Sequence, residues 1–304
     1  MSSPVVQCAA NFSEGRRPNV MQAIVSAAAA PGAVVADWSS DPDHNRMVVT
    51  LLGTPEGVAE ALLSAARVAI ERIDLRTHVG VHPRMGAVDV VPFTPLRGVT
   101  MEACIELSLR VAERLSSEHG LPVYLYERSA RAGAASGLPE RRRGGFEAIR
   151  DRELTGDRAP DYGPSRAHPS AGVCVVGARP PLVAWNVDLK EDDLEAAREI
   201  AAAIRLAREH SPELAGVRAL GLRLATRRRA QVSMNVTQVR EGVVPAVLRR
   251  IEQEAARRAV NLLASEFIGL APLSALGASS PSDVLWWDYR PEQTVEYWLA
   301  EGRL

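Results

Sequence analysis

Val217-Arg-Ala-Leu-Gly-Leu-Arg-Leu-Ala225-Thr-Arg227-Arg-Arg229-Ala-Gln231-Val-Ser-Met-Asn235-Val-Thr237 is the stretch on which the fold turns. Two apolar-rich runs, residues 217–225 and 231–237, flank a polar turn at 227–229, and that arrangement reads as a β-hairpin. Working outward, residues 182–186 read as a strand and 194–208 as a helix with apolar positions at helical spacing. Beyond the hairpin, residues 244–259 read as a helix and 262–268 as a strand.

The order strand, helix, two strands, helix, strand is the split βαβ arrangement of ferredoxin-like domains. The first half of the chain begins the same way. Residues 5–9 read as a strand, a polar turn follows at 11–17, and 18–30 reads as a helix with Pro18 suited to its first turn and Gly32 stopping it. Residues 34–37 and 47–52 are short apolar strands around a polar loop, 55–73 is a helix and 88–93 a strand. Thr100 is placed to cap a helix that runs to His119 and ends at Gly120, and 121–126 is another strand. The expected fold class is α/β in the α+β sense: two ferredoxin-like-type lobes, with mixed sheets packed together and helices outside. The lobes are assigned to residues 1–178 and 179–304, and a cleft between two such lobes is the natural ligand site. Within the first lobe, residues 127–171 hold Gly, Pro, Ser and a run of arginines with little periodicity. A long irregular stretch of that kind is either functional or disordered.

The 304 residues, 46% hydrophobic and 24% charged, are enough to bury a sizeable core. A net charge of −1 and a pI near 6.6 argue against a dedicated nucleic-acid binder. Lys190 is the only lysine, so the positive charge is nearly all arginine, whose planar fork suits carboxylates; genomic base composition is the simpler source of that bias. Cys8, Cys104 and Cys174 lie far apart, which gives neither a zinc knuckle nor a disulfide framework and fits a reducing cytoplasm. The N-terminus, Met1-Ser-Ser-Pro4, lacks the charged and apolar regions of a signal peptide, and the apolar run at 23–30 is too short to span a bilayer. A soluble cytoplasmic protein without a membrane partner is expected.

The segment His78-Val-Gly-Val-His82-Pro-Arg84-Met-Gly86-Ala-Val-Asp89 carries the most chemical information. Pro83 pushes His82 into extended backbone, and Gly80 and Gly86 flank it, so His82 sits on a loop entering a strand. Such a histidine either faces a cleft and exchanges protons near neutral pH or merely caps a loop. In extended chain Arg84 projects to the same side as His82, and a base beside an anion-binding arginine suits a carboxylate-bearing substrate. His78 and His82 have the spacing of two zinc ligands on a helix, but Gly80 and Pro83 oppose a helix and no Glu follows His78; no metal is expected.

Other segments are more ambiguous. Residues 41–46 superficially resemble the start of a calcium loop, but Arg46 and Leu52 stand where Gly and Glu are required. That leaves a polar loop carrying Asn45 and Arg46 toward one sheet edge. Asn11, Ser13 and Glu14 precede the first helix, at a place where an anion could meet free N–H groups, or where there is only an ordinary turn. Gly163, Pro164, Ser165, Arg166, Ala167, His168, Pro169, Ser170, Ala171 and Gly172 form small, polar, loop-like backbone that could approach a flat heterocycle or simply link domains. The runs 141–143 and 227–229 read as solvated basic turns, and the first could also meet a polyanion. No G-x-G-x-x-G, Walker A or G-x-S-x-G pattern is present.

Taken in order and spacing, Asn11-Phe-Ser-Glu-Gly15, Asn45-Arg46, His82-Pro-Arg-Met-Gly86-Ala, Val123-Tyr-Leu-Tyr126, Gly163-Pro-Ser165, Gly177-Ala-Arg179, Asn186, Gln231-Val-Ser233-x-Asn235 and Gly269-Leu-x-Pro272-Leu resemble the formiminotransferase family over residues 5–276. The resemblance implies two α/β subdomains with a folate-binding passage between them and a homodimer. It implies His82 as catalytic base and residues 163–172 as folate contacts. Animal members carry a following cyclodeaminase domain; here that activity is expected to be absent or to belong to a separate protein. Val81 stands where the family often has an acid before the histidine, His78 where it often has a basic residue, and Ser39 where some members have an acid.

The chemistry this implies is transfer of the formimino group of N-formimino-L-glutamate to N5 of tetrahydrofolate, with L-glutamate released. His82 takes a proton from N5 and returns it to the leaving nitrogen. Arg46 and Arg84 are candidates for holding substrate carboxylates, and Asn11, Ser13, Asn45, Tyr126 and Asn186 for neutral hydrogen bonds. Three rivals stand beside this: a formyltransferase using 5-formyltetrahydrofolate or N-formylglutamate, a non-catalytic folate-binding protein, and an arginine-rich RNA-binding module, which the charge balance and lack of aromatic platforms oppose.

Overall fold

A computed structural model describes residues 3–300 and 303–304, so Met1 and Ser2 of the leader reading lie outside the described residues. The chain forms two compact units, Met1–Pro180 and Pro181–Arg303.

The first unit runs β1 (Val5–Phe12), α1 (Pro18–Ala27), β2 (Ala33–Asp41), β3 (Arg46–Gly53), α2 (Pro55–Arg72), β4 (Val88–Arg97), α3 (Met101–His119), β5 (Val123–Glu127), the short α4 (Leu138–Arg141) and β6 (Cys174–Ala178). Its six strands lie in the order β2-β3-β1-β4-β6-β5. β1 pairs antiparallel with β3 and β4, whereas β6 pairs parallel with β4 and β5.

The helix ends follow local chemistry. Thr54 accepts the Gly57 N–H at 3.2 Å, with Pro55 in the first turn of α2. Thr100 accepts the Ala103 N–H at 3.2 Å, and Gly120 closes α3 in the left-handed region at φ 62°. α2 buries Val58, Leu62, Ala65 and Ala69, the repeat of one helix face.

Several elements differ from the sequence reading. β1 continues to Phe12, because Asn11 and Phe12 still pair with Val48 and Met47 of β3. α1 stops at Ala27: Pro31 disfavours helical backbone at Ala30, which instead bridges Ala33. β6 is a strand that the reading did not contain. Its residues, Cys-Val-Val-Gly-Ala, are all buried, so a short strand covered on both faces has no alternation to announce it.

The second unit runs β7 (Val183–Leu189), α5 (Leu194–Ala207), β8 (Val217–Leu224), β9 (Arg229–Val236), α6 (Val243–Arg257), β10 (Leu262–Ile268) and α7 (Val295–Leu299). Its four strands have the order β10-β7-β9-β8 and are antiparallel throughout. Renumbered from its own first strand this is 4-1-3-2. The first four strands of the first unit have that order too, so both units contain the split βαβ, and the first extends it with β6 and β5. Of the C-terminal tryptophans, Trp286 packs on Phe267 with ring centroids 4.1 Å apart, while Trp287 is 69% exposed. Trp298 is partly buried and donates to the Glu292 carbonyl at 2.8 Å.

Candidate functional site

Three segments of the first unit meet around His82: the end of β1, the turn from β2 to β3, and the loop from α2 into β4. Ser13 zips the first to the third, its N–H donating to the Ala87 carbonyl at 3.0 Å and its hydroxyl to the Gly86 carbonyl at 2.7 Å. Asn45 ties the turn to both neighbours. It sits at φ 49°, a conformation Asn tolerates better than most residues. Its Oδ1 accepts from the Gly15 N–H at 3.0 Å and its Nδ2 donates to the Val79 carbonyl at 3.0 Å. Val81 N–H then donates to the Asp43 carbonyl at 3.0 Å, one residue before His82.

His82 is partly buried, its ring stacked on His44 with centroids 5.7 Å apart and planes at 29°. Its Nδ1 lies 2.9 Å from the Pro83 carbonyl oxygen. A carbonyl only accepts, so Nδ1 carries the ring proton and Nε2 keeps the lone pair. Burial, then the charges of Arg46, Arg142 and His44, hold its pKa well below that of an ordinary histidine, against the opposing Pro83 hydrogen bond. The ring is therefore neutral at neutral pH, a base with Nε2 as its acceptor.

Arg46 opens β3, and its Nε is buried with no hydrogen-bond partner. Burial and Arg142 pull its pKa down to about 10, with Asp89 opposing. Arg142, just past α4, pairs with the buried Asp89 carboxylate through Nη2, and its Nε is also buried and unpartnered. Asp89 uses its other oxygen to accept the N–H groups of Met85 at 2.8 Å and Gly86 at 3.1 Å. One carboxylate thus fixes the loop that carries His82 and the arginine beside it. Neither Asp89 nor Arg142 was expected here. Asp89 ends the informative His78–Asp89 segment, and Arg142 is the middle of a run that reads as a solvated turn.

Arg84, two residues past His82, is engaged by its neighbours. Its guanidinium donates to both oxygens of Glu147 at 2.7 and 3.0 Å, and to Nδ1 and the carbonyl of His78 at 2.8 and 3.0 Å. His78 in turn bonds through Nε2 to the Asn45 carbonyl at 2.8 Å. Arg84 is a latch between the His82 loop and the segment after α4, with four of its five N–H groups committed.

The other expected residues make contacts of their own. Asn11 is buried on β1, donating to the Ala9 carbonyl at 2.9 Å. Tyr126 is buried on β5 with its hydroxyl pushed up to about 12, chiefly by burial. Asn186 belongs to the second unit, where it donates to Glu266 at 3.1 Å beside the Gln231–Asp188 hydrogen bond of 2.8 Å.

Residues 163–172 join the His82 loop at one end only. Ser170 and Ala171 carbonyls accept the N–H groups of Leu75 at 2.8 Å and Ala87 at 2.9 Å. His168 Nδ1 accepts the Ala171 N–H at 3.0 Å and shapes the turn. Pro164, Arg166, Ala167, His168 and Pro169 line a cavity of about 370 Å³, together with residues 150–152 and Gly120. Among the described residues, no group of three or more His, Cys, Asp or Glu side chains is arranged to hold a metal ion, and no helix is long and apolar enough to cross a membrane. All three cysteines are buried free thiols.

Comparison with known proteins fits this division into two units. The formiminotransferase domain, N-terminal subdomain, matches residues 5–179, and the formiminotransferase domain matches residues 184–281. A glutamate formimidoyltransferase of Streptococcus pyogenes serotype M1 is 42% identical over 273 residues, 90% of each chain. Another of Thermoplasma acidophilum is 36% identical over 275 residues, 90% of this chain and 89% of its own. The formimidoyltransferase-cyclodeaminase of Sus scrofa is 41% identical over 278 residues, 90% of this chain but only 51% of its own length. With both family domains matched in order over most of its length, the chain belongs to the formiminotransferase family.

Proposed function

We propose that this protein is a glutamate formimidoyltransferase, converting N-formimino-L-glutamate and tetrahydrofolate into L-glutamate and 5-formimidoyltetrahydrofolate. The observation that carries the reading is the geometry of His82: its Nδ1 lies 2.9 Å from the Pro83 carbonyl oxygen, which leaves Nε2 as the acceptor. N5 of tetrahydrofolate attacks the formimino carbon and forms a C–N bond. The tetrahedral intermediate passes its N5 proton to His82 Nε2. The C–N bond to glutamate then breaks as the same proton reaches the departing nitrogen. The protons balance, and His82 returns to its starting state.

Arg46 and Arg142 are the groups proposed to hold the donor's carboxylates. Their unpartnered N–H groups lie beside a neutral base, with Asp89 as the one carboxylate pulling on both, and guanidinium pairs with carboxylate in two-point geometry. Arg84, taken up by Glu147, is assigned to holding the loop. Ser13 and Asn45 keep the backbone in register, and residues 163–172 are assigned to folate. Placing both substrates in register supplies much of the rate. The reading includes a homodimer, which sedimentation velocity tests.

Glutamate release from N-formimino-L-glutamate, with N-formylglutamate in parallel, tests the function. Tetrahydrofolate-dependent release from the formimino donor supports it. Release from the formyl donor alone points to the formyltransferase, and saturable folate binding without release from either donor points to a non-catalytic binder.

A further inference from the structure

The arginine run 141–143 does not point one way. Arg142 turns toward Asp89 and His82. Arg141 and Arg143 line a separate cavity of about 790 Å³ in the first unit, a volume in the range that holds small molecules. Arg141 is almost wholly buried. It lies over the Tyr124 ring at 5.2 Å, and its Nε and Nη2 have no hydrogen-bond partner. Its nearest counter-charge is Asp161 at 3.5 Å, which already accepts the Leu125 N–H at 2.8 Å and pairs with Arg131. Arg143 is exposed, and among the described residues its side chain has no hydrogen bond or ion pair. The Arg158 side chain, which also lines the cavity, donates among the described residues only to the Ala148 carbonyl, at 3.3 Å. The lining thus carries four arginines against Glu140, Asp157 and Asp161.

A buried guanidinium with donors unspent, backed by an aromatic face, costs free energy that an oxyanion removes. We propose that this cavity is a second binding site, for a small molecule bearing a carboxylate or phosphate group, gripped by Arg141 and Arg143. The site is independent of the transfer reaction assigned to His82, and the segment that carries both its arginines also carries Arg142.

The test is isothermal titration of the full chain with inorganic phosphate and, separately, with citrate, repeated on Arg141→Gln and Arg143→Gln. Saturable binding of at least one probe is expected. Affinity in each variant should fall roughly ten-fold or more, the loss of one charge-assisted hydrogen bond, and should be unchanged in His82→Ala. Phosphate binding alone identifies a phosphate-bearing ligand, and citrate binding alone a carboxylate-bearing one. Arg143 has no side-chain partner to lose, so its variant keeps the test valid even if Arg141→Gln fails to fold. Failure of both probes to saturate, or wild-type affinity in Arg143→Gln, overturns the proposal.

Discussion

Gly86 and Gly172 face each other as an antiparallel bridge that pins the loop carrying His82 to the end of the 163–172 segment. A Cβ on Gly86 would stand 2.0 Å from the Val173 carbonyl oxygen, and one on Gly172 would stand 2.0 Å from that of Met85. Gly172 is also left-handed, at φ 72°. The two backbones touch, and nothing larger than hydrogen fits between them.

Gly172→Ala is therefore expected to destabilise the protein on two counts, steric and conformational. The loss should be about 2 kcal/mol or more, lowering the melting temperature by roughly 4–8 °C. A calorimetric scan checks this; an unchanged melting temperature would mean the bridge is not close-packed in solution.

His82→Ala is expected to lower kcat by roughly 10²–10⁴-fold, the usual contribution of a positioned proton-transfer group. Tetrahydrofolate affinity should stay near wild type, as measured by equilibrium titration. Near-normal turnover would remove His82 from the mechanism.

Arg142 is one of the charges holding the His82 pKa down. A depressed pKa keeps the ring neutral, and so basic, further into acid. Arg142→Gln takes away that charge and leaves the Asp89 carboxylate unpaired, and both changes stabilise the protonated ring. The acid limb of kcat/KM against pH is expected to move upward, toward the ordinary histidine pKa of about 6.5. An acid limb left in place would show that Arg142 does not act on the base.

Arg46 and Arg84 should separate kinetically. Arg46→Gln is expected to raise KM for the formimino donor by roughly ten-fold or more, the worth of a charge-assisted hydrogen bond, with the melting temperature little changed. Arg84→Gln breaks the contacts to Glu147 and His78 and should instead speed limited proteolysis of residues 138–150. The reverse pattern would exchange the two roles.

Thr100→Ala should cost about 1 kcal/mol, since it leaves the Ala103 N–H without its cap. Chemical denaturation reads this directly.

Much of this molecule was legible in its sequence, because the signals concerned are local. Thr100 and Gly120 bracket α3 as capping chemistry requires, and the apolar faces of α2, α5 and α6 repeat at helical spacing. The hairpin β8–β9 forms where it was read, although its turn is 225–228, because Arg229 already pairs with Leu224. From those elements came the split βαβ, and from the His82 segment and its companions came the family. The rest depends on contacts between residues remote in the chain. β6 has no alternation of its own and becomes a strand only by lying between β4 and β5. Whether Arg46, Arg84 or Arg142 has donors to spare depends on where Glu147 and Asp89 fall, at separations no periodicity encodes. Local propensity and patterning set the elements; the tertiary structure alone decided which arginine stands beside the histidine, because a guanidinium's role depends on the carboxylate it meets.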